Sequence, residues 1–477
     1  MDPQPVTSAP GIPAPWPIPR DQLVGLIRAY DRPGPRYTSY PTAVEFHAGF
    51  GDAQYRERLA LAAAEPDAPL SLYLHLPFCE ERCTFCGCMV IITRKRDVAA
   101  RYLDYVEREL AMLAEALGPR RRIAQYHWGG GTPTYITPDQ MVQLHAAVSR
   151  HFTVDDGAEM AIEVDPRVTT TAHIDTLRRL GFNRLSMGVQ DFTPEVQIAV
   201  NRVQSEPDTR RLYEYARAAG FTSINIDMIY GLPFQTVASF GRAVDAVIAM
   251  RPDRLAVYSF ALVPWVRAHQ KGIDAAALPD AEGKIGLFLE ARERLLDAGY
   301  VQIGMDHFAL PGDEMARAAA AGVLHRNFMG YTVKPASDMV GVGVSSIGDV
   351  AGAFAQSAKK LSTYYAEIDA GRFPVERGFV LDDDDRIRRY VITQLMCNFR
   401  VHWDEVERRF AIDARAYFAA ETAELQAGPA AHGFVRVDAD GIDVLPRGRL
   451  FVRNVCMVFD RYLQVKRGTP PVFSRTV

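Results

Sequence analysis

Four of the six cysteines of this 477-residue chain fall within ten positions, Cys79, Cys83, Cys86 and Cys88. The spacing Cys79-x3-Cys83-x2-Cys86 points to an iron–sulfur cluster, because thiolates are the usual ligands of such clusters. Three cysteines on a [4Fe–4S] cube leave one iron without a protein ligand, and an open coordination position on a metal is a reaction site. A structural zinc site would favour paired CxxC motifs, and no second pair is present. A redox pair of Cys83 and Cys86 would leave Cys79 and Cys88 without a role. Cys88 lies two residues past Cys86 and would have to strain the loop to ligate, so it is expected near the cluster but not bound to it. Cys397 and Cys456 stand alone.

A three-cysteine cluster with an open iron suits S-adenosylmethionine (SAM), which chelates that iron and is cleaved to a carbon radical. Further residues can surround it. Trp128-Gly129-Gly130-Gly131-Thr132-Pro133 allows close backbone approach and can offer N–H groups to a carboxylate. It can equally be an ordinary tight loop. Glu163 and Asp227 can accept from an ammonium or from ribose hydroxyls, or can cap the next helix. Arg202 can meet a carboxylate or lie on a solvated helix face.

These residues need elements that bring them together. From about residue 70, β-rich runs (72–76, 124–127, 161–164, 184–187, 223–228 and 254–259) alternate with amphipathic helical stretches (100–117, 139–151, 174–180, 208–219, 239–250 and 281–298). This rhythm predicts βα units around a parallel sheet. No GxGxxG opens a helix, so a barrel or partial barrel is favoured over a Rossmann fold. A further strand is expected at 301–305. Cys79, Gly130, Thr132, Glu163, Gln190 and Asp227 all sit at or near the carboxyl ends of the strands, the rim where α/β barrels build their sites. Past residue 375 the pattern changes to helices at 381–399, 402–410 and 448–463, with a hairpin of 434–437 and 442–445 turning on DADG. That arrangement is winged-helix-like, although no dense basic helix suggests DNA binding. The expected divisions are a proline-rich disordered tail over 1–19, an N-terminal arm over 20–65, a barrel over 66–310, a closing segment over 311–374 and a C-terminal helical domain over 375–477.

Composition excludes several classes. Apolar residues make up 48% and charged residues 23%, with a net charge of −4, so nothing global invites nucleic acid or a membrane surface. No apolar run approaches the roughly 20 residues of a membrane span, and the N-terminus does not read as a signal peptide. A cytoplasmic protein is expected. The runs Arg94–Arg96 and Arg120–Arg122 are expected to be solvated, and Asp382–Asp385 to favour the start of a helix.

SLYLHLPFCEERCTFCGCMVIITR, HWGGGTPTYI, IEVDPR, GFNRLSMGVQDF, VNR, INIDMIYGLP and GMDHFALP, followed by HRNFMGYT, GVGVSSIG, LMCNF and FSR, resemble the oxygen-independent coproporphyrinogen III oxidase family of radical SAM enzymes. The resemblance runs from PRYTSYPTA near residue 35 to the last residues. It implies an incomplete (βα)6 barrel covered by an N-terminal arm and a helical C-terminal domain. It implies conversion of two propionates of coproporphyrinogen III to the vinyl groups of protoporphyrinogen IX, with one [4Fe–4S] cluster and two SAM molecules. Carried over by motif, Cys79, Cys83 and Cys86 ligate the cluster. Tyr73, Gly130, Glu163 and Ile347 line the first SAM. Phe85, Gly131, Thr132, Gln190, Arg202, Asp227 and Ala261 line the second. Tyr73 and His75 alternate along one strand and should share a face. With Cys88 they are the candidate catalytic residues. A substrate with four carboxylates calls for cations, and Arg36 and Arg326 are the candidates, with His307 and His325 further polar candidates. An electron donor and an acceptor are expected but carry no signature, and a monomer is expected. A radical porphyrin methyltransferase or ring-opening enzyme and a haem chaperone of the same superfamily are the rivals. Gly87-Cys88 and the intact C-terminal domain favour the oxidase.

Overall fold

The computed structural model describes residues 18–334, 336–465 and 473–476. The proline-rich tail expected over 1–19 lies outside the described residues except for Ile18 and Pro19. Six parallel strands come first in the chain: β1 (Leu70–Leu76), β2 (Arg122–Gly130), β3 (Thr153–Val164), β4 (Arg184–Gln190), β5 (Ser223–Tyr230) and β6 (Arg254–Ser259). They are followed by β7 (Val301–Ile303), β8 (His307–Ala309), β9 (Asp338–Val342), β10 (Ile347–Val350), β11 (Ala353–Ser357) and β12 (Val375–Val380). These strands form one sheet in the order β12-β11-β10-β9-β1-β2-β3-β4-β5-β6-β8-β7. The first six are neighbours in chain order and parallel, as βα units require. The two ends of the sheet do not pair with each other, so the barrel stays incomplete.

The alternation of side chains along each strand decides what faces the site. On β1, Leu70, Leu72, Leu74 and Leu76 are buried against the helices, which leaves Ser71, Tyr73 and His75 on the other face. On β4, Leu185, Met187 and Val189 are buried while Arg184, Ser186, Gly188 and Gln190 are partly open. The covering helices begin where the local sequence supplies caps. Thr137 accepts from the Gln140 N–H, Thr170 from His173, Ser205 from Asp208, Thr236 from Ser239 and Asp280 from Gly283. Among the described residues, no helix is long and apolar enough to cross a membrane.

A second hydrophobic core joins the N-terminal arm to the C-terminal region, with Leu23, Ile27, Tyr37 and Tyr40 packed in the same cluster as Ile392, Trp403, Phe434 and Phe451. There, helices Asp383–Asn398 and Trp403–Phe410 accompany a small antiparallel sheet of Arg400–His402, Val435–Val437 and Gly441–Val444. Asp382 caps the first of these helices through a box with Asp385.

Three expectations need correction. Arg120 is not solvated: its side chain is fully buried, donating to the carbonyls of Ala62 and Ala68, to Ser337 and to Asp338 at 2.6 Å. The helix expected over 448–463 is three pieces, Pro446–Phe451, Val452–Val458 and Arg461–Val465. Asp460 breaks it by accepting from the amides of Tyr462 and Leu463, which starts a new helix. The strand expected over 301–305 ends at Ile303, because Gly304 at φ 55 turns the chain into β8.

Candidate active site

The cysteine loop leaves β1 and is clipped shut by a short parallel pairing of Phe78–Cys79 with Ile91–Ile92. Its backbone is tied to the far side of the barrel. The Thr84 amide donates to Val200 O, Asn201 to Arg82 O and Gln270 to Phe85 O, and a His269 ring nitrogen lies 2.8 Å from Cys86 O. Each of the three candidate ligands has a polar partner. Cys79 Sγ lies 3.3 Å from Thr132 Oγ1. Cys83 Sγ accepts from Arg167 Nη2 and Arg202 Nη1, each at 3.6 Å. Cys86 Sγ accepts from the Cys88 amide at 3.4 Å. Hydrogen bonding from Cys88 pulls the Cys86 thiol down to about 6, whereas burial pushes Cys79 up to about 11. Hydrogen bonds onto sulfur are among the levers that tune iron–sulfur clusters.

These thiols open on a cavity of about 290 Å³. Cys79, Cys83, Phe85, Cys86 and Cys88 line the loop side, and Gly130, Gly131, Thr132, Glu163, Gln190, Arg202 and Asp227 line the barrel side. Gly130 holds φ 121, and a Cβ there would come within 2.7 Å of the His75 ring. A Cβ on Gly131 would strike the Pro77 backbone at 2.7 Å. Glu163 accepts from the Gly130 amide at 3.1 Å and lies 3.4 Å from His127 Nε2. Burial opposes its ionisation, but His127 and that amide hold its carboxyl below the usual range. Asp227 receives Asn225 Nδ2 at 2.7 Å and Ser186 Oγ at 3.2 Å. Burial, aided by the Glu163 charge, still pushes Asp227 up to about 6.

Two features fit a ligand that supplies polar contacts. Gln190 occupies the left-handed region at φ 71, and its Oε1 is buried without a hydrogen-bond partner. Arg202 Nε is likewise buried and unpartnered. Strained backbone and unsatisfied buried polar atoms are costly, and they cluster where a ligand completes them. With the glycine cradle and three thiols lining one cavity, the chemistry of this donor set suits a cluster with a SAM-type ligand beside it, although among the described residues the thiols are not gathered into a closed metal-binding group.

The remaining candidates lie around the cavity, outside its lining. Tyr73 and His75 do share a face: Tyr73 Oη is 3.0 Å from His75 Nδ1, and His75 Nε2 is 3.1 Å from Met89 O. Nε2–H therefore donates to the carbonyl and Nδ1 accepts from the tyrosine. Burial keeps the His75 pKa low and the ring neutral. Ile347 stands behind Tyr73: its carbonyl crowds Gly341, which pairs with Tyr73 in register. The Ala261 carbonyl accepts from the same Gln270 amide that holds Phe85. Arg36, from the arm, donates to Ser259 O and faces Asp306 at 3.7 Å. Asp306 lies 2.7 Å from His307 Nδ1. Arg326 and His325 lie on a separate cavity.

Sequence reasoning missed Asp165, Arg167 and Tyr258, which also line the site. Asp165 accepts from Arg167 and from Arg202, at 2.7 and 3.0 Å, and so orients both guanidiniums that reach Cys83. The signal was the Asp-Pro-Arg turn directly after the strand that carries Glu163.

Comparison with known proteins identifies the architecture. A family profile described as the Radical SAM superfamily matches residues 73–247, and one described as the HemN C-terminal domain matches residues 381–451. The oxygen-independent coproporphyrinogen III oxidase of Pseudomonas aeruginosa is 45% identical over 440 residues, 92% of this chain and 95% of the relative. That of Escherichia coli is 46% identical over 457 residues, 96% of this chain and 99% of the relative. The chain belongs to the oxygen-independent coproporphyrinogen III oxidase family. The solved structure of the Escherichia coli coproporphyrinogen III oxidase, described as a radical SAM enzyme, superposes with a TM-score of 0.87 at 45% identity, over 92% of this chain and 98% of that one. Membership of the radical SAM oxidases implies a [4Fe–4S] cluster and SAM.

Proposed function

We propose that this chain is an oxygen-independent coproporphyrinogen III oxidase that decarboxylates two propionates of its substrate to vinyl groups, in haem biosynthesis. Its cofactors in this reading are one [4Fe–4S] cluster on Cys79, Cys83 and Cys86 and two SAM molecules. The observation that carries the reading is the single cavity joining the three thiols to the Gly130–Thr132 cradle, Glu163, Gln190, Arg202 and Asp227.

A propionate C–H next to CH2 has no acidic proton, so general-base catalysis has nothing to grip. The cluster with SAM supplies a primary carbon radical able to abstract that hydrogen. The chain's own residues position and insulate. Glu163 stiffens the glycine turn through the Gly130 amide and offers its open edge to an ammonium. Asp227 offers a carboxylate to ribose hydroxyls or to an ammonium, which favour its ionised form. Arg202 can turn its unpartnered Nε to a SAM carboxylate while its Nη1 stays on Asp165 and Cys83. His75, neutral and held at both nitrogens, fixes the orientation of Tyr73 on the face of β1 that the two residues share. Coproporphyrinogen III, an electron donor and an electron acceptor are the partners, and the enzyme works as a cytoplasmic monomer.

The test is anaerobic incubation with coproporphyrinogen III, SAM and a strong reductant. Protoporphyrinogen IX with two 5′-deoxyadenosines per substrate is the expected result. Retained haem without product would assign the chain as a carrier instead, and a methylated porphyrin would assign it as a methyltransferase.

A further inference from the structure

A second cavity, of about 800 Å³, shares no lining residue with the cofactor cavity. It lies between the sheet and the C-terminal domain. Ser71 of β1 and Asp349 of β10 form one side, the hairpin of His325–Asn327 and Gly330–Thr332 another, and the helices Asp383–Asn398 and Trp403–Phe410 of the C-terminal domain the third. Ser71, which lines this cavity, shares a face of β1 with Tyr73, two residues or roughly 7 Å further along the strand.

The lining of this cavity is cationic. Arg326, Arg386, Arg389 and Arg409 face it against a single carboxylate, Asp349, while burial and Arg409 lower the pKa of His325 and favour its neutral ring. Arg389 and Asp349 are paired with each other. The other guanidiniums are poorly matched among the described residues. Arg326 Nε and Nη1 are buried without a hydrogen-bond partner, and its guanidinium carbon lies over the Tyr331 ring, 4.5 Å from its centre. The acid whose charge it feels, Asp306, is already engaged by His307 and Arg36. Arg409, exposed, rests over Tyr390 and Phe410 and has no ion pair among the described residues. Arg386 has only Asp383 at 3.7 Å, and with side chains 48% and 96% exposed that pair holds little. Buried, unpartnered guanidinium nitrogens such as those of Arg326 are costly unless an anion meets them; Arg386 and Arg409 are exposed and hydrated, and bring free charge to the mouth of the same cavity. Arginine forks match carboxylates in two-point hydrogen bonds.

We propose that this cavity receives the propionates of the tetrapyrrole that the reaction leaves intact, with Arg326, Arg386 and Arg409 as their ligands and Tyr390 and Phe410 beside the ring system. This rests on the substrate reading above. It assigns the C-terminal domain a part in substrate recognition: the retained carboxylates are held between the sheet and that domain while a reacting propionate points past Tyr73 to the cofactor cavity.

Coproporphyrin III, the stable oxidised tetracarboxylate, is the probe, titrated anaerobically against the cluster-loaded enzyme by fluorescence. The double variant R386Q/R409Q should bind it at least about tenfold more weakly, while R386K/R409K, which keeps both charges, stays within about threefold. The tetramethyl ester of the probe should not distinguish the three proteins. In turnover, the KM for coproporphyrinogen III should rise with kcat little changed. Wild-type affinity in R386Q/R409Q, equal losses in the Gln and Lys variants, or an equal loss for the ester would each overturn the proposal. Turnover by the wild-type enzyme tests the substrate reading independently, since binding of the probe requires no chemistry.

Discussion

Asp227→Asn should make the protein more stable at neutral pH while crippling it as an enzyme. Asp227 lies on the cavity, and burial with Glu163 nearby raises its carboxyl to about 6 against an ordinary 3.8. A folded-state pKa above the unfolded one favours the fold only while the group is protonated. That contribution is complete below about pH 4, drains away as the pH rises through 6, and is absent above. Each pKa unit is worth about 1.4 kcal/mol, so with water in the cavity screening the charge the loss at pH 8 is about 1–3 kcal/mol. Asparagine keeps an oxygen for Asn225 Nδ2 and offers an amide to Ser186 Oγ, so both hydrogen bonds survive. Urea unfolding of the two proteins should therefore show the Asp227→Asn variant ahead by about 1–3 kcal/mol at pH 8 and level near pH 4. The same variant should lose at least about tenfold in SAM cleavage, since a carboxylate kept at a cost to stability is there for a ligand. An Asp227→Asn protein less stable than wild type at pH 8, or an advantage equal at pH 4 and pH 8, would refute the argument.

Other perturbations have separate readouts. Cys88→Ser should retain about four irons per chain after anaerobic reconstitution, and Cys79→Ala, Cys83→Ala or Cys86→Ala should not; an iron-free Cys88→Ser protein would make Cys88 a ligand. Gly130→Ala forces a Cβ against the His75 ring at φ 121, so about 1–3 kcal/mol of strain should appear as a lower Tm and weaker SAM binding, with iron content kept. A variant that binds SAM normally would count against the cradle. Arg120→Met leaves Asp338 buried and unpaired and should cost about 3–5 kcal/mol in chemical denaturation. Adding Asp338→Leu should recover much of it, and no recovery would mean that the arginine's bonds to Ala62 and Ala68 carry the effect.

What was legible in the sequence is what a single strand carries to its own end. Glu163, Gln190 and Asp227 follow runs of alternating or β-rich residues, so counting along β3, β4 and β5 puts them on one rim. The same counting put Tyr73 and His75 on one face of β1. Partnerships between distant segments were not legible. Arg120 read as one of three surface arginines because Asp338 lies 218 residues away, on a strand that itself escaped notice. β9, Asp338–Val342, pairs in parallel with β1, yet its Gly-Val alternation offers no amphipathic helix before it to mark a βα unit.

The misses near the site have the same origin. Asp165 was passed over as a turn residue because its work is done through two arginines, one two residues on and the other 37 residues away, both directed at Cys83. The second cavity carries the point further. Arg386 and Arg409 lie on the exposed sides of two helices and Arg326 on a short strand, and only the packing of the C-terminal domain against the sheet brings them to one cavity.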